Sequence, residues 1–379
     1  MRIESIRLSV FERPGNTALF DLVEEERGAA RRWLHRASQR ADEEVHVLHV
    51  LTDEGIEGIC TVGDARYTRM DRRDLEQLRI LCVGENALDR ERLQRKLSAA
   101  TRGMFTRPGW FGALDNCLWD IAGKAAGLPV YALIGRARES CPAYYNIGGD
   151  SADALADDAQ KAVGLGFSAV KDHLRRSAEE NIAWAAAVRE AVGADIDVMH
   201  DAAMADYTLQ DALRVGRALE ELRFLWFEEP LPDAQQATLQ ALCAALDIPI
   251  VAPESMMHDL TLSAQWLLSG ATDWLRGNAR HGVTATLKLA HLAELHDANI
   301  ELNGPGGLYG LVHAHLVCCL GNTSYYEYFP NGSRDVAGKE IGLLNPPVPV
   351  EGRIAPPDGP GWGAEWDWER FQRRRSATL

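Results

Sequence analysis

Residues 2–11 (RIESIRLSVF) alternate apolar and polar positions, and residues 45–62 do so again, turning at Asp53-Glu54-Gly55. Period-two alternation ended by a turn cluster predicts strands, the second stretch forming a hairpin. Residues 13–43 hold Pro, Gly, the run Glu24-Glu25-Glu26 and several arginines without a period. They read as a solvated loop, with a mobile flap as the alternative. Residues 71–101 and 110–126 carry apolar positions three and four apart and read as helices. The second is opened by Pro108-Gly109 and closed by Gly127 ahead of Pro129. Residues 1–130 thus read as an α+β domain.

From residue 141 the pattern changes to strand–helix alternation. Apolar, β-branched or aromatic runs at 141–146, 167–174, 195–201, 225–231, 249–254, 273–279, 299–304 and 324–329 are predicted strands. Helix-like stretches lie between them at 151–165, 177–192, 208–221, 233–246, 260–269, 283–297 and 308–320. Eight strands in strict alternation favour an α/β fold with a closed parallel barrel over a doubly wound sheet. Beyond 345 the chain is rich in Pro, Gly and Trp. Trp362, Trp366 and Trp368 predict that this tail packs back on the first domain, and Arg373 to Arg375 read as a frayed end.

Composition narrows the partners. The 379 residues are 46% hydrophobic and 25% charged, with a formal net charge of −15. An acidic chain is a poor non-specific binder of nucleic acid or anionic membranes. No apolar run approaches a membrane span and the first residues hold no signal-like core. The seven cysteines are scattered without a C-x-x-C pair, as expected of reduced thiols in a cytoplasmic protein.

Candidate chemistry gathers at strand ends. Asp201, Glu228 and Glu254 each close one of three successive predicted strands, at spacings of 27 and 26 residues. A strand–helix repeat of a barrel takes roughly 30 residues, and functional groups collect at its C-terminal rim. Three carboxylates meeting there form a hard oxygen donor set suited to Mg2+. In the strand 167–174, Lys171 and His173 share one face and Asp172 the other. They are either a solvated strand end or an ammonium and an imidazole beside the acids. Glu228 and Glu229 are adjacent, so only one can point inward. Glu327, among Tyr325, Tyr326 and Tyr328, reads either as a paired structural group or as an acid of raised pKa that donates to a substrate carboxylate. NGPGGLYG (303–310) lacks the dinucleotide-binding spacing and reads as a tight rim loop. His200, His281, His313 and His315 read as structural.

DNCLWDIAGKAAGLPVYALIGR (115–136) resembles the domain-joining segment of the enolase superfamily, in its mandelate racemase and muconate lactonising branch. WFEEPL and APES resemble that branch's second and third metal-ligand strands. The resemblance implies an N-terminal α+β capping domain (1–130), a modified TIM barrel of the (β/α)7β type (131–345) and a C-terminal segment (346–379) returning to the cap. It implies Mg2+ on Asp201, Glu228 and Glu254, abstraction of the proton α to a substrate carboxylate, and an even-numbered homo-oligomer. By position Lys171 and His173 match the paired basic residues of the second strand, and Glu327 the acid that hydrogen-bonds the substrate carboxylate.

This chain departs from the family pattern at several positions. His173 stands in place of a lysine, and Ala203 where an Asn often follows the first metal ligand. Asn278 and Asn303, expected to bind substrate, stand where the branch carries an Asp–His dyad; amides cannot move a proton. The loss of that dyad disfavours a two-base racemase. The expectation is a Mg2+-dependent lyase dehydrating an acid sugar to a 2-keto-3-deoxy acid, with Lys171 and His173 catalytic. An epimerase or cycloisomerase, and a metal-binding member without the ancestral catalysis, are the alternatives. Substrate choice is expected in capping segments 13–35 and 62–70, which include Arg27, Arg31, Arg32, Arg66 and Tyr67.

Overall fold

The computed structural model describes all residues except 28–29, 62–69, 105, 204, 206, 257–258, 305–306 and 331–337. The chain opens with β1 (Ile3–Arg27), β2 (Ala30–Thr52) and β3 (Glu57–Thr61), an antiparallel sheet. Residues 13–43 are therefore mostly not loop. They extend the β1–β2 ladder to Arg27↔Ala30, with register shifts at Arg13/Thr17 and Ala18/Phe20. The expected segment 71–101 is two helices, α1 (Arg72–Cys82) and α2 (Arg90–Met104). Gly84, at φ 84°, turns the chain between them, a left-handed conformation that an L side chain resists.

Helix α3 (Gly112–Ala126) ends on left-handed Gly127 as its sequence predicts. Its buried polar residues join three parts of the molecule. Asp115 accepts from Thr284 N at 2.8 Å and from its hydroxyl at 2.7 Å. Asn116 donates to Ala279 O and accepts from Val283 N, at 2.8 and 3.0 Å. Asp120 accepts from Ile59 N in the first sheet and from Trp362 N in the tail, both at 3.0 Å. At Gly112 a Cβ would lie 1.8 Å from Arg280 O, so only glycine admits this approach.

After α4 (Val130–Ile134) come β4 (Cys141–Asn146), α5 (Ala152–Gly164), β5 (Ala169–His173), α6 (Ala178–Val192) and β6 (Asp197–Asp201). These lead to α7 (Leu209–Glu221), β7 (Phe227–Glu228), α8 (Gln236–Cys243), β8 (Ile250–Ala252) and α9 (Leu260–Leu268). Next are β9 (Trp274–Gly277), α10 (Val283–Glu294), β10 (Ile300–Leu302), α11 (Gly307–Cys319) and β11 (Tyr326–Tyr328). All eight predicted barrel strands form, most of them shorter than their apolar runs. The run 273–279 ends at Gly277 and turns into a 3-10 helix, Ala279–His281.

The strands pair in parallel in the order β10-β9-β8-β7-β6-β5-β4-β11. This is the modified barrel, and its seam lies between β10 and β11. One backbone bond, Ile300 N to Asn322 O at 2.9 Å, crosses there. The fully buried Glu301 carboxylate supplies the rest, accepting from Ser324 N at 3.0 Å and Tyr325 N at 3.4 Å.

The tail adds β12 (Arg353–Ile354), α12 (Trp368–Arg374) and β13 (Ala377–Thr378), which pairs with β1. Arg373 and Arg374 are helical, and Arg375 caps their helix rather than fraying. Phe371 packs edge-on against Phe11 of the first sheet at 4.8 Å. Trp362 is fully buried, but Trp368 keeps 44% of its surface and stacks on Trp366. No described helix is long and apolar enough to cross a membrane. All seven cysteines are free thiols.

Candidate active site

Asp201 and Glu228 are the last residues of β6 and β7 and lie side by side in register. Glu254 follows β8 by two residues, and all three carboxylates are buried. Asp201 Oδ1 accepts from Ala203 N at 2.7 Å. Ala203 sits at φ 48°, a left-handed backbone region that Asn tolerates better than Ala. Asn303 Nδ2 donates to Glu254 Oε1 at 2.8 Å and fixes its orientation.

On β5 the side chains divide as period two requires. Asp172 points behind the barrel wall to His200, Oδ1 to Nδ1 at 2.7 Å, with both residues fully buried. Lys171 and His173 point inward. Asp201 Oδ2 lies 3.3 Å from Lys171 Nζ and 3.2 Å from His173 Nε2. Lys171 is fully buried, whereas a third of the His173 side chain is exposed, with its ring tilted against Phe329. Burial, and then the Lys171 charge, hold the His173 imidazole down at about 4, so it is neutral at neutral pH.

Beneath these groups lies a closed ring of charges. Lys171 Nζ contacts Glu228 Oε2 at 2.8 Å and Glu327 Oε1 at 3.1 Å. Arg276 takes the remaining oxygens, Nε to Glu228 Oε1 at 2.8 Å and Nη2 to Glu327 Oε2 at 3.0 Å. Arg276 Nε also approaches Glu254 Oε2 at 3.4 Å, and Nη2 donates to Tyr144 OH at 3.2 Å. Burial alone would lower the pKa values of both cations. Glu228 and Glu327 reverse that and hold them well above their ordinary values. Burial pulls the Asp201 and Glu228 carboxyls up as well, and Lys171 and Arg276 oppose that shift.

Asn278 and Asn303 pair with each other across β9 and β10, Asn278 Nδ2 to Asn303 Oδ1 at 2.8 Å. Asn278 Oδ1 accepts from Arg280 N, and Arg280 Nη2 donates to Asn303 Oδ1, each at 2.8 Å. Asn278 is thus engaged in holding its own turn, while Asn303 reaches a metal-ligand candidate. Glu327 is buried between the two cations and also accepts from Gly304 N. His313 Nε2 accepts from Ala279 N at 3.0 Å, and His315 Nδ1 from Tyr131 N at 3.1 Å. Both are structural, as expected. Arg66 and Tyr67 lie outside the described residues, as do the side chains of Arg27, Arg31 and Arg32.

Arg276 escapes sequence reasoning, and Glu229 goes against it. Arg276 sits inside DWLRGNA, where its period-two relation to Asn278 was the available signal. Only one of Glu228 and Glu229 is expected to point inward; at φ 46° Glu229 breaks the strand alternation and is also turned in beside the acids and buried, where burial, then Glu254 and Asp201, push it up to about 10.

The donor set suits a divalent cation. It is three carboxylates on adjacent strand ends, and Glu228 Oε1 is buried without a hydrogen-bond donor although Arg276 is close. Among the described residues no three acids, histidines or cysteines converge as a ready cage, and Lys171 and Arg276 stand among the three carboxylates.

Comparisons with known proteins identify the family. Residues 28–135 match the mandelate racemase / muconate lactonizing enzyme N-terminal domain, and residues 154–370 match the enolase C-terminal domain-like family. The chain belongs to the mandelate racemase/muconate lactonizing enzyme branch of the enolase superfamily. It is 28% identical over 352 residues to a D-galactonate dehydratase family member of Catenulispora acidiphila, covering 83% of this chain and 81% of that one. It is 32% identical over 287 residues to the D-galactarolactone cycloisomerase of Agrobacterium fabrum, covering 70% and 72%. A crystal structure of D-glucarate dehydratase from Agrobacterium tumefaciens, complexed with magnesium, superposes with a TM-score of 0.82, at 30% identity and full coverage of both chains.

Proposed function

We propose that this protein is a Mg2+-dependent dehydratase of an acid sugar, forming a 2-keto-3-deoxy acid. The observation that carries the reading is the one-sidedness of the site. A neutral, partly exposed imidazole stands at 3.2 Å from Asp201 on one flank, while the other flank is the amide pair Asn278 and Asn303. The dehydratase names of two of the relatives support it.

Asp201, Glu228 and Glu254 would hold the cation. Bound there, Mg2+ supplies Lewis-acid stabilisation of the negative charge that develops on the substrate carboxylate. His173 Nε2 takes the α-proton. The electron pair left on the α-carbon forms the carbon–carbon double bond as the β-hydroxyl leaves. The same imidazolium returns the proton to that hydroxyl, so that water departs and the enol tautomerises to the ketone. Lys171 keeps His173 in its basic form and helps balance the acids. Asn303 and Glu327 are assigned to ordering the substrate side of the site, and Asn278 acts through Asn303.

The test is a screen of mono- and diacid sugars for 2-keto acid formation, with and without Mg2+. His173→Ala is expected to lower kcat by about 100-fold to 10,000-fold, the usual worth of a general base, with Mg2+ binding retained. Undiminished turnover would overturn the assignment. The cycloisomerase relative favours a second reading, isomerisation. Deuterium from solvent appearing in recovered substrate, without 2-keto acid, would select it.

The same reading divides the chain into a cap (1–130), a barrel (131–345) and a returning segment (346–379). It makes the protein cytoplasmic, with no nucleic-acid or membrane partner, and a homo-oligomer. The long β1–β2 ribbon supports the last. Phe20, Leu22 and Trp33 share one face of it and are each about half exposed, and a two-stranded ribbon is marginal in water without a partner.

A further inference from the structure

We propose that Arg276 is a built-in counter-cation of the metal site: it shares Glu228 and Glu254 with the divalent ion and so sets how tightly that ion is held. This rests on the reading that Asp201, Glu228 and Glu254 are the ligands.

The argument starts from charge. Asp201, Glu228, Glu254 and Glu327 bring four carboxylates to one buried layer and the rim above it. Lys171 and Arg276 both touch them. Acids outnumber these two cations in the layer, so a divalent ion and Arg276 draw on the same negative charge. Arg276 is therefore part of the balance and not a bystander. Like charges in a low-dielectric interior repel strongly, so an arginine on the ligands themselves must weaken capture of a second cation.

Two observations separate this role from simple packing. Arg276 Nε sits 2.8 Å from Glu228 Oε1 but donates its hydrogen to Glu254 Oε2 at 3.4 Å, so one guanidinium nitrogen spans two candidate ligands. Arg276 Nη1 is buried with no hydrogen-bond partner among the described residues, although a purely structural arginine would be expected to have its donors matched. Glu228 and Glu254 would not be left without support if Arg276 were removed. Lys171 and Trp226 Nε1 still hold Glu228 Oε2, at 2.8 and 3.0 Å, and Asn303 still holds Glu254. Loss of repulsion should therefore outweigh loss of order.

The experiment is calorimetric titration of Mg2+ into the full chain and its variants at fixed pH and ionic strength, with folding checked by circular dichroism. Arg276→Met should bind Mg2+ at least about ten-fold more tightly than the native chain. Arg276→Lys, which keeps the charge, should stay within about three-fold of it. Equal or weaker binding by folded Arg276→Met overturns the proposal. Should the methionine variant not fold, Arg276→Lys decides alone: ten-fold tighter binding there, with the charge retained, would equally overturn it. Asp201→Asn should lose binding in either background. If the native chain and Arg276→Met are both folded and neither takes up Mg2+, the ligand assignment falls with the proposal. If both bind equally, only the role of Arg276 falls.

Discussion

Lys171→Met should abolish turnover and cost the fold about 3–5 kcal/mol, the usual penalty for breaking a buried ion pair from one side. The ammonium is fully buried and lies within 3.3 Å of three carboxylates, those of Asp201, Glu228 and Glu327. Methionine fills most of the volume but leaves the acids facing each other with Arg276 as their remaining contact cation. Mg2+ should restore part of the lost stability, because a ligand that binds the native state stabilises it by mass action. Denaturant titrations with and without Mg2+ check both parts. A variant as stable as the parent in metal-free buffer would show that the charge ring contributes little.

Glu301→Ala is expected to have the second-largest effect, about 3 kcal/mol or more, and on stability before activity. Glu301 is fully buried, and its carboxylate takes Ser324 N, Tyr325 N and Asn299 Nδ2. Alanine would strand these donors away from water at the one place where neighbouring barrel strands do not share a ladder. Glu301→Gln keeps a carbonyl oxygen and should lose roughly half as much. Thermal unfolding of the three proteins in parallel gives the ranking. An alanine variant that melts with the parent would mean that the Ile300–Asn322 bond and side-chain packing close the seam unaided.

Much of the site was legible because it follows the barrel's period. Three acids at near-equal spacing stand at or just past three strand ends, and the alternation in β5 separated Lys171 and His173 from Asp172. The polar faces of α3 were readable as a joining segment but not as a hub, since Asp115, Asn116 and Asp120 find partners up to 246 residues away. Arg276 and Glu301 were hidden for the same reason. A charged residue in a short strand gives no local sign of being buried, and its ion pairs or acceptors form only when the sheet curls. The ribbon between residues 13 and 43 was missed on other grounds. With both faces open to solvent for much of its length, it has no buried face to impose period two on the sequence.

The bonds made by α3 bear on how substrate could enter. One rigid helix is fastened to the first sheet through Ile59, to the barrel through Ala279, Val283 and Thr284, and to the tail through Trp362. Rotating one layer against the other would break buried polar contacts on every side of that helix at once. The protein is therefore built against hinge bending. Turnover limited by opening of the site should therefore respond hardly at all to changes in α3 that keep these bonds.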